Sequence, residues 1–368
     1  VTERTDILVI GAGMAGIGAA AEAAETANVV VLESEARPGL HATGRSAALL
    51  FGNYGNATLR ALTAASTPVF EAAETFCDGP VLSPRGVLML AGPNEIQALE
   101  AFEAGATGLA RIGPDEAARL VPILRPERIA AAAHEPDARD IDVDRLLQGY
   151  RRRLTARGGR IDAGARVTGL ARTGGVWRVE TQKAVYEAPV VVNAAGGWAD
   201  ALAELAGITP IGLVPCRRSA AILPAPGGRD VTGWPLFGTV SETWYAKPDA
   251  GRLMVSPADE DPVAPHDVWP DDMVLAEGLD RYARAVTEPV TRVERSWAGM
   301  RTFAPDRTPV VGADPTAEGF VWLAGQGGYG IQTAPALSAL AGALLTGGTP
   351  ALPQAVVAAL DPGRLRAA

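Results

Sequence analysis

Apolar residues cluster along the chain in two periods. The run Asp6-Ile-Leu-Val-Ile10 and the run Val29-Val-Val-Leu32 are short and continuous, as in strands covered on both faces. Between them an alanine-rich stretch from Met14 to about Thr26 predicts a helix, so residues 5 to 35 form a βαβ start. Further helices are predicted near Ala57 to Phe76, Ile96 to Ala104 and Val143 to Arg157, the last with Asp142 as N-cap, and a strand at Val87 to Ala91. Alternation then takes over: Arg166 to Ala171 and Val176 to Thr181, separated by Thr173-Gly174-Gly175, predict a hairpin. The β-branched run in Pro189 to Gly197 predicts a buried strand able to join the first sheet, followed by a helix from Trp198 to about Ala206.

Residues 212 to 300 have a different texture, with strands expected at Leu213 to Leu223, Thr243 to Lys247 and Arg252 to Val255 and a helix near Leu275 to Ala285. The last stretch returns to α/β character through Pro309 to Gly312, Gly319 to Ala324 and a helix from about Thr333 to Leu345, with the proline-containing C-terminus expected as a peripheral tail. A nucleotide domain assembled from separated segments, with a second domain inserted, accounts for this order.

Composition narrows the classes. With 368 residues and 48% hydrophobic content the chain can bury a large core, and a formal net charge of -9 opposes a phosphate-backbone footprint, so nucleic acid is not an expected partner. Cys77 and Cys216 have no CxxC or Cys/His spacing, which predicts neither a disulfide framework nor a metal site. No apolar stretch reaches the roughly 18 to 20 residues that span a bilayer. No signal-like segment is visible at the start, and a cytoplasmic location is expected.

The chemistry enters with Gly11-Ala-Gly13-Met-Ala-Gly16, which follows a strand and opens a helix, the setting in which backbone N–H groups meet a pyrophosphate. Glu33 ends the next strand, where an acid can accept bonds from adenosine ribose hydroxyls. A tight packing turn that binds nothing is the alternative for the loop alone. A second strand, glycine turn and helix, Ala324 to Ala334, lies far along the chain and favours FAD over NAD, because a helix N-terminus there suits the electron-rich edge of a reduced flavin. The segment His41 to Ala48 is small and hydroxyl-rich, fit to pass a flat cofactor, with Arg45 a candidate phosphate contact.

Taken in order, GAGMAG, LESE, HATGRSAA, VVNAAGGWAD, SWAGMRTF and AGQGGYGIQT resemble the D-amino acid oxidase-like (DAO) FAD-dependent oxidoreductases over nearly the whole chain. Within that family LTAAS, LSPR, RRSA and KPDAG are most similar to bacterial FAD-dependent D-arginine dehydrogenases. The resemblance implies an α/β fold: a Rossmann-like FAD-binding domain from residues 1–80, 140–212 and 300–368, and an α+β substrate-binding domain with an antiparallel sheet from 81–139 and 213–299. It implies noncovalent FAD held by Gly11, Gly13, Gly16, Glu33, Thr43, Gly44, Arg45, Ser46, Ala47, Val167, Gly327, Gly328, Gly330, Ile331, Gln332 and Thr333. Substrate is expected at Arg218, Arg301, Tyr54, Tyr245 and Gly328, and the reaction at the amine of a D-amino acid, giving an imino acid that hydrolyses in water. No side chain is assigned as a catalytic acid or base. Without the resemblance, either arginine suits a structural ion pair and either tyrosine a core position.

Arginine-oxidising relatives place charged and hydroxyl groups where this chain has Leu49, Val87 and Phe51. An uncharged lining would leave a cationic substrate side chain desolvated and unpaired, so apolar or aromatic D-amino acids are expected over D-arginine. The alternatives are an oxidase of glycine, secondary amines or L-amino acids, and a flavin-fold protein kept for binding. The electron acceptor, whether a quinone, another carrier or oxygen, is unspecified by any motif.

Overall fold

The computed structural model describes residues 2–366. Its six-stranded sheet runs in the order Arg160–Ala163, Val29–Glu33, Ile7–Ile10, Val190–Asn193, Phe320–Ala324, Val310–Ala313. The first five strands are parallel and Val310–Ala313 closes the sheet antiparallel. Every residue of Ile7–Ile10 and Val29–Glu33 is buried, because the sheet is covered on both faces. Helices Met14–Ala23, Val143–Ala156 and Ala334–Thr346 fill one side. A four-stranded sheet and helix Ala199–Leu205 cover the other. The predicted hairpin Val167–Thr173 to Val176–Thr181 is in that smaller sheet, its turn held by Gly174 and Gly175 at φ 61° and 85°. Asp142 caps its helix as expected, its side chain accepting the N–H of Arg145.

A second, eight-stranded sheet has the order Arg295–Phe303, Val214–Leu223, Arg252–Ser256, Tyr245–Asp249, Leu236–Thr239, Val87–Ala91, Ala131–Glu135, Ala110–Ile112. It is mixed, not purely antiparallel, because Leu236–Thr239 runs parallel to Val87–Ala91. The overall class, an α/β fold with a mostly parallel sheet in one region and a mixed sheet in the other, is nonetheless the one expected.

Three expectations fail at this level. The expected boundary at residue 300 falls inside the strand Arg295–Phe303, which places Arg301 on the eight-stranded sheet. The boundary at 140 falls inside Arg139–Ile141, the middle strand of a three-stranded sheet with Leu49–Leu50 and Leu82–Pro84. The C-terminus is no loose tail: Leu360 is fully buried, and Arg366 donates to Asp314, whose other partners are the Trp322 indole and Thr316.

Candidate active site

A cavity of about 480 Å³ opens at the C-terminal ends of the parallel strands, with Ile10, Gly11, Leu32, Glu33 and Ala194 at its base. The loop Gly11–Gly16 divides its glycines between two tasks. At Gly11, held at φ +108°, a Cβ would sit 2.3 Å from the Ala194 carbonyl oxygen, and at Gly16 one would sit 1.9 Å from that of Gly11. Both are demanded by packing. Gly13 faces the cavity, where a Cβ would meet only Thr43 Oγ1, at 3.3 Å. Gly13 N-caps helix Met14–Ala23 without a side-chain bond, which leaves the helix start open to an anion. Glu33 accepts the N–H groups of Ala12 and Glu35, both at 2.9 Å, and a carboxylate so engaged still has lone pairs for ribose hydroxyls.

The cavity walls fit FAD. Gln326 Nε2 and His41 Nδ1 are buried polar atoms without protein partners, and both residues line this space, where a dinucleotide offers bonding groups. Thr43, Arg45, Ser46, Ala47, Val167, Gly327, Gly328, Gly330 and Ile331 line it as well. Gly16, Gly44, Gln332 and Thr333 do not: Gly44 packs against the Gly39 carbonyl, and Thr333 bonds back to Tyr329 at the start of the last long helix. Arg45 reaches the wall with its guanidinium engaged by the carbonyls of Val268 and Ala298 and by Asp267, so it tethers a loop to the cleft.

A smaller cavity of about 100 Å³ adjoins the first and shares Ser46, Ala47, Arg218, Tyr245, Arg301, Gly328 and Ile331 with it. Strand register explains how distant residues meet there. Cys216 pairs with Arg301, so Arg218, two residues on, presents its side chain on the same sheet face, while Arg217 takes the opposite face and binds Asp259 and Asp261. Gly238 pairs with both Tyr245 and Met89, which brings those side chains to the same face. Gly328 leaves room for the guanidinium: a Cβ there would lie 2.8 Å from Arg301 Nη1.

The two arginines differ in what they have left to offer. Arg218 donates to the Asp259 carbonyl at 2.7 Å and contacts Glu260 at 3.4 Å, and Glu260 is itself bound by Arg307. Arg301 has no carboxylate within ion-pair distance among the described residues. Burial disfavours its charge, but Tyr245, Tyr54 and Glu242 around it prevail and hold it protonated above its ordinary range. The tyrosines are driven apart in turn. Desolvation and Glu242 push the Tyr54 phenol up, while at the half-buried Tyr245 the charges of Arg301 and Arg218 outweigh desolvation and pull the phenol below its usual value.

Of the expected side-chain pocket, Leu49 and Phe51 line the smaller cavity and Val87 does not. Val87 is buried one register step behind, and Met89 takes its place. Leu236, Thr239 and Trp244 complete the wall. The lining is also not free of charge. Glu242, on the turn between Leu236–Thr239 and Tyr245–Asp249 and at φ +50°, lines it and accepts the Tyr54 hydroxyl at 3.2 Å. No motif announces that carboxylate, since its place depends on a turn conformation uncommon for glutamate. Tyr329, within the glycine turn, lines neither cavity and packs against Tyr54, their ring centroids 4.8 Å apart. No helix among the described residues is long and apolar enough to cross a membrane.

The sequence profile of the DAO family, described as FAD dependent oxidoreductase, matches residues 6–344. Hydrogen cyanide synthase subunit HcnC of Pseudomonas aeruginosa is 29% identical over 204 residues, which cover 55% of this chain and 46% of that one. Human mitochondrial dimethylglycine dehydrogenase is 24% identical over 243 residues, 60% of this chain and 28% of its own. The chain thus spans about half or less of the length of these curated relatives. Among solved structures, L-proline dehydrogenase from P. horikoshii superposes with a TM-score of 0.84 at 22% identity, covering 100% of this chain and 99% of that one. Glycine oxidase from Geobacillus kaustophilus does so with 0.83 at 20% identity, covering 96% and 97%. These superpositions establish the fold.

Proposed function

The chain belongs to the DAO family of FAD-dependent oxidoreductases, and within it we propose oxidation of the Cα–N bond of a carboxylate-bearing amine, with a D-amino acid as substrate. The observation that carries this reading is Arg301, a half-buried guanidinium with no carboxylate within ion-pair distance among the described residues, at the wall shared by the cofactor cleft and the smaller cavity. A substrate carboxylate supplies the missing counter-charge in the two-pronged geometry that guanidinium favours. Arg218 keeps the donors it does not spend on Asp259 and Glu260, and Tyr245 adds an acidified phenol O–H. Gly328 gives the guanidinium space. With the carboxylate fixed, Cα–H is held toward the cleft. The chemistry that FAD supplies there when bound is acceptance of the hydride, after which the imino acid leaves for hydrolysis to a 2-oxo acid and ammonia.

For the side chain we propose apolar substrates, because Leu49, Phe51, Met89, Leu236 and Trp244 surround a small space. A second reading, a cationic side chain as in D-arginine, is favoured by Glu242 at the rim of that space. The D configuration rests on the motif series from GAGMAG to AGQGGYGIQT. The names of two curated relatives, dimethylglycine dehydrogenase and sarcosine dehydrogenase, make N-methylated glycines the other class to include. Anaerobic mixing of the FAD-loaded protein with D- and L-amino acids, glycine and sarcosine, followed by loss of flavin absorbance, tests this. Reduction by D-leucine or D-phenylalanine ahead of D-arginine is expected, and reduction only by L-amino acids or sarcosine overturns it. Admitting air afterwards reports whether oxygen is an acceptor.

A further inference from the structure

Behind the small cavity lies a buried carboxylate that the reading above leaves unused. Glu135 ends the strand Ala131–Glu135 and is 6% exposed. It pairs with Val87, and Ala133 with Met89, so its side chain is on the sheet face that forms the pocket. No cation lies within ion-pair distance of it among the described residues. Its partners are neutral donors, the Gly52 N–H at 2.9 Å and Asn53 Nδ2 at 2.5 Å. Burial raises its pKa, and the bonds from Asn53 and Gly52 only partly oppose that. Asn53, 4% exposed, also accepts the Thr107 N–H at 3.0 Å and donates to the Thr107 carbonyl at 2.8 Å.

These bonds all converge on one turn. Phe51 and Tyr54 bracket Gly52 and Asn53, their rings stack with centroids 5.4 Å apart, and both line the pocket. Gln332 Oε1 holds the near side of the turn by accepting the Phe51 N–H, and Glu135 holds the far side. Resting on the site assigned above, we propose that Glu135 is a positioning residue that clamps the turn Phe51–Tyr54, so that the Phe51 ring stays in the pocket wall and the Tyr54 hydroxyl stays between Glu242 and Arg301. A carboxylate is the group this task requires, because both oxygens face N–H donors. A glutamine would accept from Gly52 but turn its own NH₂ toward the NH₂ of Asn53.

The test is a double-mutant cycle of E135Q, N53D and E135Q/N53D: N53D by itself removes the donation to the Thr107 carbonyl and faces Glu135 with a second carboxylate, whereas in the double variant the glutamine NH₂ donates to the aspartate. Starting from FAD-loaded protein and a substrate from the panel, E135Q is expected to raise KM about tenfold with kcat changed less than about threefold, and the double variant to lose less than the product of the two single losses. A KM equal to wild type in E135Q, or single losses that simply multiply in the double variant, overturns the proposal. If E135Q does not accumulate as holoenzyme, E135D takes its place, with raised KM at full FAD content supporting the clamp and wild-type KM refuting it. If the panel yields no substrate, the proposed function fails, and hydrogen exchange decides the clamp alone. Faster exchange at Gly52 to Tyr54 in E135Q, with an acceleration in the double variant smaller than the two single effects combined, supports it, and wild-type exchange in E135Q refutes it.

Discussion

The cofactor cleft and the substrate pocket share a wall but are built by different means. The cleft is made largely of backbone: Gly11 and Gly13, the start of helix Met14–Ala23, and the glycine turn before Ala334–Thr346. The pocket is made mostly of side chains brought from six stretches, Ser46 to Tyr54, Met89, Arg218, Leu236 to Tyr245, Arg301, and Gly328 to Gln332. Backbone recognition needs special residues in a local order, whereas side-chain recognition needs sheet register, which arises only when distant strands pair. A substitution in the cleft should therefore cost cofactor, and the fold with it where the glycine also packs against backbone, while one in the pocket should cost turnover and leave the flavin in place.

The largest expected effect is on the cleft side. Gly11→Ala places a methyl group into the Ala194 carbonyl at a φ that alanine avoids, and holoenzyme yield should fall at least about tenfold. Gly13→Ala, facing open cavity, should keep the fold and lose FAD affinity alone. Flavin absorbance per protein together with the melting temperature separates the two. Equal behaviour of both variants would remove the division of labour between packing and ligand glycines.

Next comes Arg301→Ala, which should retain full FAD and lower kcat/KM by about 10² to 10³, the scale for leaving a desolvated carboxylate without its partner. If FAD content falls in parallel, Arg301 is a structural residue of the shared wall and the comparison breaks.

The same contrast governs what could be read beforehand. The βαβ start, the Asp142 cap and the Gly174-Gly175 hairpin are local patterns, and the folded chain has them where they were expected. Resemblance by motif brought Arg218, Arg301, Tyr54 and Tyr245 into one list, and all four line the pocket. What escaped was non-local. Ala131-Ala-Ala-His-Glu135 has weak strand propensity and is a strand because Val87–Ala91 and Ala110–Ile112 flank it. Val87 and Met89 share a face, and only the approach of other segments decides which of them touches the cavity. Glu242 reaches it through a turn at positive φ, which periodicity does not encode.

A smaller effect is expected at Tyr245. Its phenol is acidified by Arg301 and Arg218 despite desolvation, so rising pH should remove its proton below the ordinary tyrosine range near pH ~10. The phenolate then repels a substrate carboxylate it had been donating to, and kcat/KM should fall on the alkaline side. Tyr245→Phe should lose about tenfold at neutral pH and also lose that alkaline limb. A limb that persists unchanged in the variant belongs to another group, such as the substrate ammonium.

The smallest effect separates the two readings of side-chain preference. Glu242 is exposed at the rim, so its attraction for a cationic side chain is screened and should amount to a few tenths to about 1 kcal/mol. Glu242→Gln should accordingly lower kcat/KM for D-arginine about two- to fivefold and leave D-leucine nearly unchanged, with the difference shrinking as salt is raised. The neutral variant still accepts the Tyr54 hydroxyl, so a loss shared by both substrates would mean that the carboxylate acts through Tyr54 and not on the side chain. An arginine-selective loss much larger than fivefold would place the substrate's cation in desolvated contact with Glu242, and the apolar wall of Leu49, Phe51 and Met89 would then serve to strengthen that ion pair by excluding water, not to select apolar side chains.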